Sequence, residues 1–583
     1  MSSDDRNGSA DDLYLQRSGT HGMRIEDGKL YPDFQLSTNP ASNIEQESPG
    51  YAIKEFDIFG GDKEKVLIPE MDFRKLSNIS STTYITHGIH KHPAVFIPQI
   101  PDYLINTFTS EQNRDGNRPL VLDPFNGSGT SGIESKVAGR DYLGIEINPL
   151  SKLVSEVSTT PIPPSVLRDV EYEIVDRLAK TEDRVYTEYD VTFPGRTQKE
   201  HWFEQRAVRD LTRIRKVVSE YIDEDRIHFD SLTETEDSIL RDLATKEADL
   251  AGMVNRWLVL MIANTVFGVS NADPKVSKAH KSSTMREKID AGEHPEKRIL
   301  QLYATHLHQS REKLLDLWEK IYDKREYADS TDGAVSQSIL RENRAHKAEV
   351  DIRLGDARTF DVRDEKRLAD LALTSPPYIN AINYYRGTKL RLFWISDLLE
   401  DYFDATQLRQ SMVGTNSAQI SNTNRELPAS IRDIWTGTTE EYEKTSLTTL
   451  DEDIRAIHEG ALSEAKRRAF TTWRFFAEDM LQSICRTYEH LKPGAYFFLI
   501  IGENTIGGRH IQSHKFVADI AKNLGRFDSD ISGAELDNPE GFRVVGIAID
   551  EISTRDLFEH RNHRSGVIEH EWVVMLQKPS SSG

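Results

Sequence analysis

A chain of 583 residues with 37% hydrophobic content implies roughly three or four units with room for long polar loops. Its single cysteine, Cys485, excludes a disulfide framework or a multi-cysteine zinc site and suits a reducing, cytoplasmic setting. A net charge of −22 argues against a protein that coats nucleic acid without specificity, yet leaves room for a local basic groove.

Residues 1–50 are rich in Ser, Asp, Asn and Gly and predict a largely disordered arm without the apolar core of a signal peptide. His87, His90 and His92 follow within six residues. No carboxylate or cysteine stands beside them at ligand spacing, so no metal is expected. Asp102 to Thr109 reads as a short helix.

The run Pro119-Leu-Val-Leu-Asp-Pro-Phe-Asn-Gly-Ser-Gly-Thr130 carries an apolar strand into a glycine turn, and a helix is expected from Ser131 to Ala138. Glycines let backbone approach a ligand, and a helix start presents free N–H groups. A second strand, Asp141 to Ile147, holds Glu146, 19 residues after Gly127. That offset suits an acid binding ribose hydroxyls in a βαβ nucleotide site. The loop lacks G-x-x-x-x-G-K-[S/T] and is not an ATP phosphate cradle.

From 151 to 345 the pattern is helical. Val208, Leu211, Ile214, Val218 and Tyr221 recur at three or four residues, opposite Arg206, Arg209, Arg213 and Lys216, which predicts an amphipathic helix with a solvated charged face. Ala251 to Gly268 is interrupted by Asn255, Arg256 and Asn264 and reads as a buried helix, not a membrane span. Lys275, Lys278, Lys281, Arg286 and Lys288 crowd a flexible stretch and are candidate phosphate contacts.

Sheet signal returns at Val350 to Ala357, with Asp356 at its end, and at Leu368 to Leu373, which runs into Ser375-Pro376-Pro377-Tyr378. Two prolines cannot continue a central strand, so the chain becomes a stiff lip at the sheet's carboxyl edge, where open α/β folds place their chemistry. A side-chain oxygen, a proline carbonyl and an aromatic ring there suit a planar base bearing an exocyclic amine. Residues 400–465 show no clear period and predict a polar insertion or mobile loop. Trp473 to Leu491 reads as helix. Ala495 to Ile501, Val544 to Ile549 and Glu569 to Gln577 supply the last strands. The sum is an α/β, Rossmann-like, seven-stranded, mostly parallel sheet with a large helical insertion. Its parts are a 1–50 arm, a first catalytic part (51–150), the insertion (151–345), and a second catalytic part (346–583).

Asp123-Pro-Phe-Asn-Gly-Ser-Gly-Thr130 and Thr374-Ser-Pro-Pro-Tyr378 on one chain resemble the amino-DNA methyltransferases, which methylate cytosine N4 or adenine N6 with S-adenosylmethionine. His92-Pro93, Phe96 to Pro98, Gly355 to Ala357, Asn380 to Gly387, Leu491 to Gly494 and Glu569 to Lys578 fit the same pattern. The resemblance spans about 84–150 and 346–580. It implies that Asp123, Pro124, Phe125, Asn126, Gly127, Gly129 and Thr130 hold the methionine part of the cofactor. Glu146 would take the ribose and Asp356 the adenine amine. It further implies a flipped base stacked on Tyr378, with Ser375 Oγ and the Pro376 carbonyl accepting its amine N–H groups beside Pro377. Serine before Pro-Pro-Tyr resembles the N4-cytosine enzymes. N6-adenine, guanine N2 in RNA and a non-catalytic DNA-binding subunit are the alternatives. C5 methylation needs a thiolate, and Cys485 lies inside an expected helix. DNA is the implied partner, with a cognate restriction endonuclease or other defence-system subunits as companions and no membrane. The insertion is the first candidate for target recognition.

Overall fold

The structure, a computed structural model, describes residues 23–26, 29–32, 51–57, 65–91, 96–110, 112, 116–181, 199–223, 232–243, 250–273, 279–291, 298–322, 348–362, 367–379, 384–414, 429–461, 464–533, 540–551 and 570–580. The strands are β1 (Met23–Glu26), β2 (Lys29–Pro32), β3 (Tyr51–Asp57), β4 (Lys65–Met71), β5 (Leu120–Asp123), β6 (Asp141–Glu146), β7 (Val350–Leu354), β8 (Ala369–Thr374), β9 (Leu491–Ile501), β10 (Asn504–Ile506), β11 (Arg509–Ile511), β12 (Arg543–Glu551) and β13 (His570–Gln577). Nine of them form one sheet in the order β3-β4-β12-β13-β9-β8-β5-β6-β7.

The seven strands expected from the sequence are β5 to β9, β12 and β13. β7, β6, β5, β8 and β9 run parallel, and β13 lies antiparallel between β9 and β12. The β3–β4 hairpin extends the sheet beyond β12. Within 1–50 the described residues are β1 and β2, a short antiparallel pair.

The central strands are buried on both faces, so they read as continuous apolar runs. Val121, Leu371, Leu373, Phe498, Ile500, Val573 and Met575 face one way, onto the helix Gln99–Phe108. Leu122, Ala372, Phe497, Leu499, Ile501, Val574 and Leu576 face the other way. The switch between neighbouring residues is the period-two alternation of a strand.

The insertion is helical throughout its described residues, from Pro149–Thr159 to Ile299–Tyr322. Leu211, Ile214, Val218 and Tyr221 are buried as expected, but so is Arg213, which the sequence assigned to the solvated face. Its guanidinium donates to the carbonyl of Leu178 at 2.5 Å and to that of Thr181, satisfying the exposed end of the helix Pro164–Lys180. Leu250–Val269 is the one described helix long and apolar enough to cross a membrane. Its run from Trp257 to Ala263 is fully buried inside the helical body.

Residues 400–465, expected as a polar insertion or mobile loop, hold regular elements in their described part. These include helices Ala405–Ser411, Thr439–Glu443 and Leu447–His458. Ile431, Trp435, Leu447, Leu450 and Ile454 join the sheet's core. The starts of the shorter elements are written in capping boxes at Ser430/Asp433 and Thr438/Glu441, and in Leu447–His458 the buried Leu447, Leu450, Ile454 and Ile457 recur at three and four residues.

Candidate active site

The carboxyl ends of β5, β6, β7 and β8 open into a cleft of about 840 Å³. Pro124, Phe125, Asn126, Gly127 and Thr130 line it from the glycine turn, Glu146 from the end of β6, and Asp356 from the loop after β7. Ser375 and Pro377 line it from the lip after β8. The two motifs, almost 250 residues apart in the chain, share one wall because β5 and β8 are hydrogen-bonded neighbours. Phe96, Asn148, Ser151 and the segment Ser411-Met412-Val413 also line it. That last segment belongs to no motif and was not legible in the sequence.

Asp123 and Gly129 of the glycine-turn motif, like Pro376 and Tyr378 of the lip, do not line the cleft. Asp123 is fully buried, and its carboxylate accepts from Thr374 Oγ1 (2.6 Å), Ser131 Oγ (2.7 Å) and the Phe125 N–H (3.0 Å). It therefore ties the ends of β5 and β8 to the helix Thr130–Val137, and it does not itself line the cleft. Burial pushes its carboxyl up to about 6 against those hydrogen bonds. Gly129 sits at φ +83°, where a Cβ would come within 2.8 Å of Ser155 Cβ. Only glycine allows the helix Pro149–Thr159 to close on the turn.

Glu146 lies at the wall, with one oxygen accepting from the Gly127 N–H (2.8 Å) and the other from the Asn148 N–H (2.7 Å). Burial raises it to about 7, and those N–H groups pull the other way. Asp356 is gripped by Arg358, which donates Nε at 2.9 Å and Nη2 at 2.6 Å. The same guanidinium reaches Asp479 at 2.7 Å and the Ser411 carbonyl at 2.8 Å. Arg358 thus staples the loop after β7 to the Ser411–Val413 wall.

On the lip, Ser375 is half-buried and its hydroxyl has no hydrogen-bond partner among the described residues. Tyr378 donates its hydroxyl to Glu571 Oε1 at 2.5 Å. Its ring lies against Gly502, where a Cβ would stand 2.7 Å from Cε2. Asn504 holds the next residue by donating to the Ile379 carbonyl. Burial raises the Glu571 carboxyl, while the Tyr378 hydroxyl and Arg74 oppose it. Asp550, directly across the strand pair from Glu571, is pushed up to about 8 by burial and then by the Glu571 charge. The sequence reading assigned no role to Glu571, although it lies in the segment Glu569 to Lys578 that fits the family pattern, nor to Gly502 and Arg358, which stand outside any recognisable motif.

Cys485 is buried in the helix Leu481–His490, away from the cleft lining, and burial pushes its thiol up to about 12. It cannot present a thiolate. His87 and Tyr84 both hydrogen-bond Glu134 Oε1, at 2.7 and 2.5 Å, and His90 contacts Asn264. These residues fasten the 84–90 segment to the glycine-turn helix and to the insertion. His92, Pro93, Lys275, Lys278, Asn380 to Asn383 and Glu569 lie outside the described residues. Lys281 is half-buried, and Arg286 and Lys288 are exposed, all of them outside the cleft lining.

The family model described as DNA methylase matches residues 30–154. The chain is 22% identical to the Type II methyltransferase M.MvaI of Kocuria varians over 450 residues, 76% of this chain and 82% of that protein. It is 29% identical to the Type II methyltransferase M.MjaII of Methanocaldococcus jannaschii over 114 residues, 20% of each chain. A shorter match, 36% over 67 residues, covers 12% of this chain and 23% of the Type II methyltransferase M2.DpnII of Streptococcus pneumoniae. No solved structure matches.

Proposed function

We propose that this chain, which belongs to the amino-DNA methyltransferase family, transfers a methyl group from S-adenosylmethionine to the exocyclic N4 amine of cytosine in DNA. The observation that carries the reading is the Ser375 hydroxyl, without a partner among the described residues, in the wall of a cleft shared with the glycine turn.

The cleft suits a nucleoside bearing a cationic chain. Glu146 offers a carboxylate for ribose hydroxyls and Asp356 one for an amine, and Phe125 and Val413 give apolar walls. S-adenosylmethionine supplies an electrophilic methyl group when bound. The protein's own task is to prepare the amine, whose lone pair is delocalised into the base ring. Ser375 Oγ and the Pro376 carbonyl accept its two N–H bonds and draw the nitrogen toward tetrahedral geometry. The two prolines keep those acceptors fixed, so orientation and local electrostatics supply the acceleration. Tyr378, held by Glu571 and Gly502, offers a ring for the flipped base. The Type II names of its relatives support a role as the methylating partner of a restriction-modification pair.

Nucleoside mass spectrometry of DNA incubated with the protein and methyl-labelled cofactor tests this. Label in N4-methylcytosine is expected. Label in N6-methyladenine overturns the choice of base and keeps the chemistry. Cofactor binding without label in DNA overturns the reading as a DNA enzyme, and activity unaffected by Ser375→Ala removes the proposed role of that hydroxyl.

A further inference from the structure

Although the chain is acidic, cations gather at one place beside the cleft. Backbone hydrogen bonds join three distant segments there. Asn271 donates to the Trp202 carbonyl at 2.7 Å, and Ala279 donates to the Arg386 carbonyl at 3.1 Å. The Lys389 ammonium lies 5.3 Å from the centre of the Trp202 ring. This stitching gathers His201, Lys281, Arg286, Arg386 and Lys389, and Arg409 stands near Lys389 on the helix Ala405–Ser411.

Elsewhere arginines and lysines are commonly matched with carboxylates, as at Arg215–Asp397, Arg358–Asp356, Lys492–Asp370 and Arg509–Asp453. Lys281, Arg286, Lys389 and Arg409 have no ion-pair partner among the described residues. Asp290 acts on Lys281 from a distance, and Asp404 lies on the Arg409 side. The cations also repel one another. Lys389 is lowered by burial and then by Arg386 and Arg409, and Lys281 by burial and then by Arg286. Repulsion among Lys281, Arg286, Lys389 and Arg409 that no ion pair among the described residues offsets leaves a place for an anion.

The position indicates which anion. Helix Ala405–Ser411 runs directly into the cleft wall at Ser411 to Val413. Asn148, another wall residue, donates to Thr388, the neighbour of Lys389, at 3.4 Å. Arg386 follows Tyr378 by eight residues. The cations therefore flank the base site on elements that also build it. We propose that His201, Lys281, Arg286, Arg386, Lys389 and Arg409 form a strip that binds DNA backbone phosphates beside the flipped base. This rests on the reading of the chain as a DNA methyltransferase and adds that the insertion and the catalytic part grip the duplex jointly.

The test measures binding of a labelled DNA duplex by the full chain at a series of salt concentrations. The triple variant Lys281→Gln, Arg286→Gln, Arg409→Gln is compared with the parent. Each lost phosphate contact makes the log–log salt slope shallower by about 0.9, hence by about 2.7 for three. S-adenosylmethionine affinity, by calorimetry, is expected to stay at the parental value. Arg286→Gln and Arg409→Gln singly alter exposed side chains, and each is expected to change the slope by about 0.9. Variants with the parental slope and affinity overturn the strip while leaving the methyltransferase reading intact. A parent that binds duplex but labels no base overturns that reading and leaves the slopes to judge the strip. Loss of single-stranded RNA binding with duplex binding unchanged overturns DNA as the partner.

Discussion

The two walls of the cleft are built on opposite terms. On the glycine-turn side, the carboxylates are already engaged by the chain itself. Asp123 accepts three hydrogen bonds, Glu146 two backbone N–H groups, and Asp356 the Arg358 fork. On the lip, the Ser375 hydroxyl has no partner among the described residues. Tyr378 is fastened at its tip by Glu571 and packed along its ring against Gly502. Residues that give the cleft its shape are bound by their own fold, whereas Ser375, the proposed acceptor for the reacting amine, keeps its hydrogen-bonding capacity in reserve.

The comparison can be broken from either side. The largest effect is expected for Ser375→Ala, which should lower kcat by about 10²- to 10³-fold, the scale for losing one preorganised hydrogen-bonding group. Cofactor affinity should not change, as calorimetry would show; a matching loss there would erase the distinction between the walls. Gly129→Ala attacks the opposite wall. With φ at +83° and Ser155 in the way, it should cost about 2–3 kcal/mol of stability, read as a lowered Tm together with weakened cofactor binding. Glu571→Leu removes the fastening of Tyr378. A drop in kcat of about tenfold or more is expected from misplacement, with Glu571→Gln, which keeps an acceptor oxygen, close to the parent. The smallest effect concerns pH. Glu146 is raised to about 7 by burial, so it carries a proton below that pH and accepts ribose hydroxyls best above it. Cofactor Kd should fall as pH rises from about 6 to 8, by at most about tenfold per pH unit, and Glu146→Gln should flatten the profile.

Much of the site was legible because its parts sit at strand ends within short runs. Asn126, Gly127, Glu146, Asp356 and Ser375 each follow an apolar strand, and parallel strands carry their carboxyl ends to one edge. At Asp123 the same logic does not say which way the side chain turns. A carboxylate ending a strand can turn toward a ligand or back into the fold, and the choice was decided by Thr374, 251 residues away. Glu571 reads as one polar residue in the apolar strand β13, and nothing near it announces Tyr378. Arg358 is two residues beyond Asp356, yet its role depends on Ser411 and Asp479. Over 429–446 the capped pieces are one turn each and display no period, whereas Leu447, Leu450, Ile454 and Ile457 do recur at helical spacing, a signal the sequence reading passed over.

One packing arrangement bears on how such proteins can diverge. The helix Tyr384–Ile395, which follows the base motif, contributes Leu390, Leu392, Phe393, Trp394 and Ile395 to the core of the helical insertion. Arg215 of the insertion binds Asp397 just beyond that helix at 2.6 Å. The segment that follows the Ser375–Tyr378 lip and the body inserted between β6 and β7 are therefore a single packed block. A chimera that exchanges 149–322 alone would sever that core, whereas one that carries 384–412 with it transplants an intact unit.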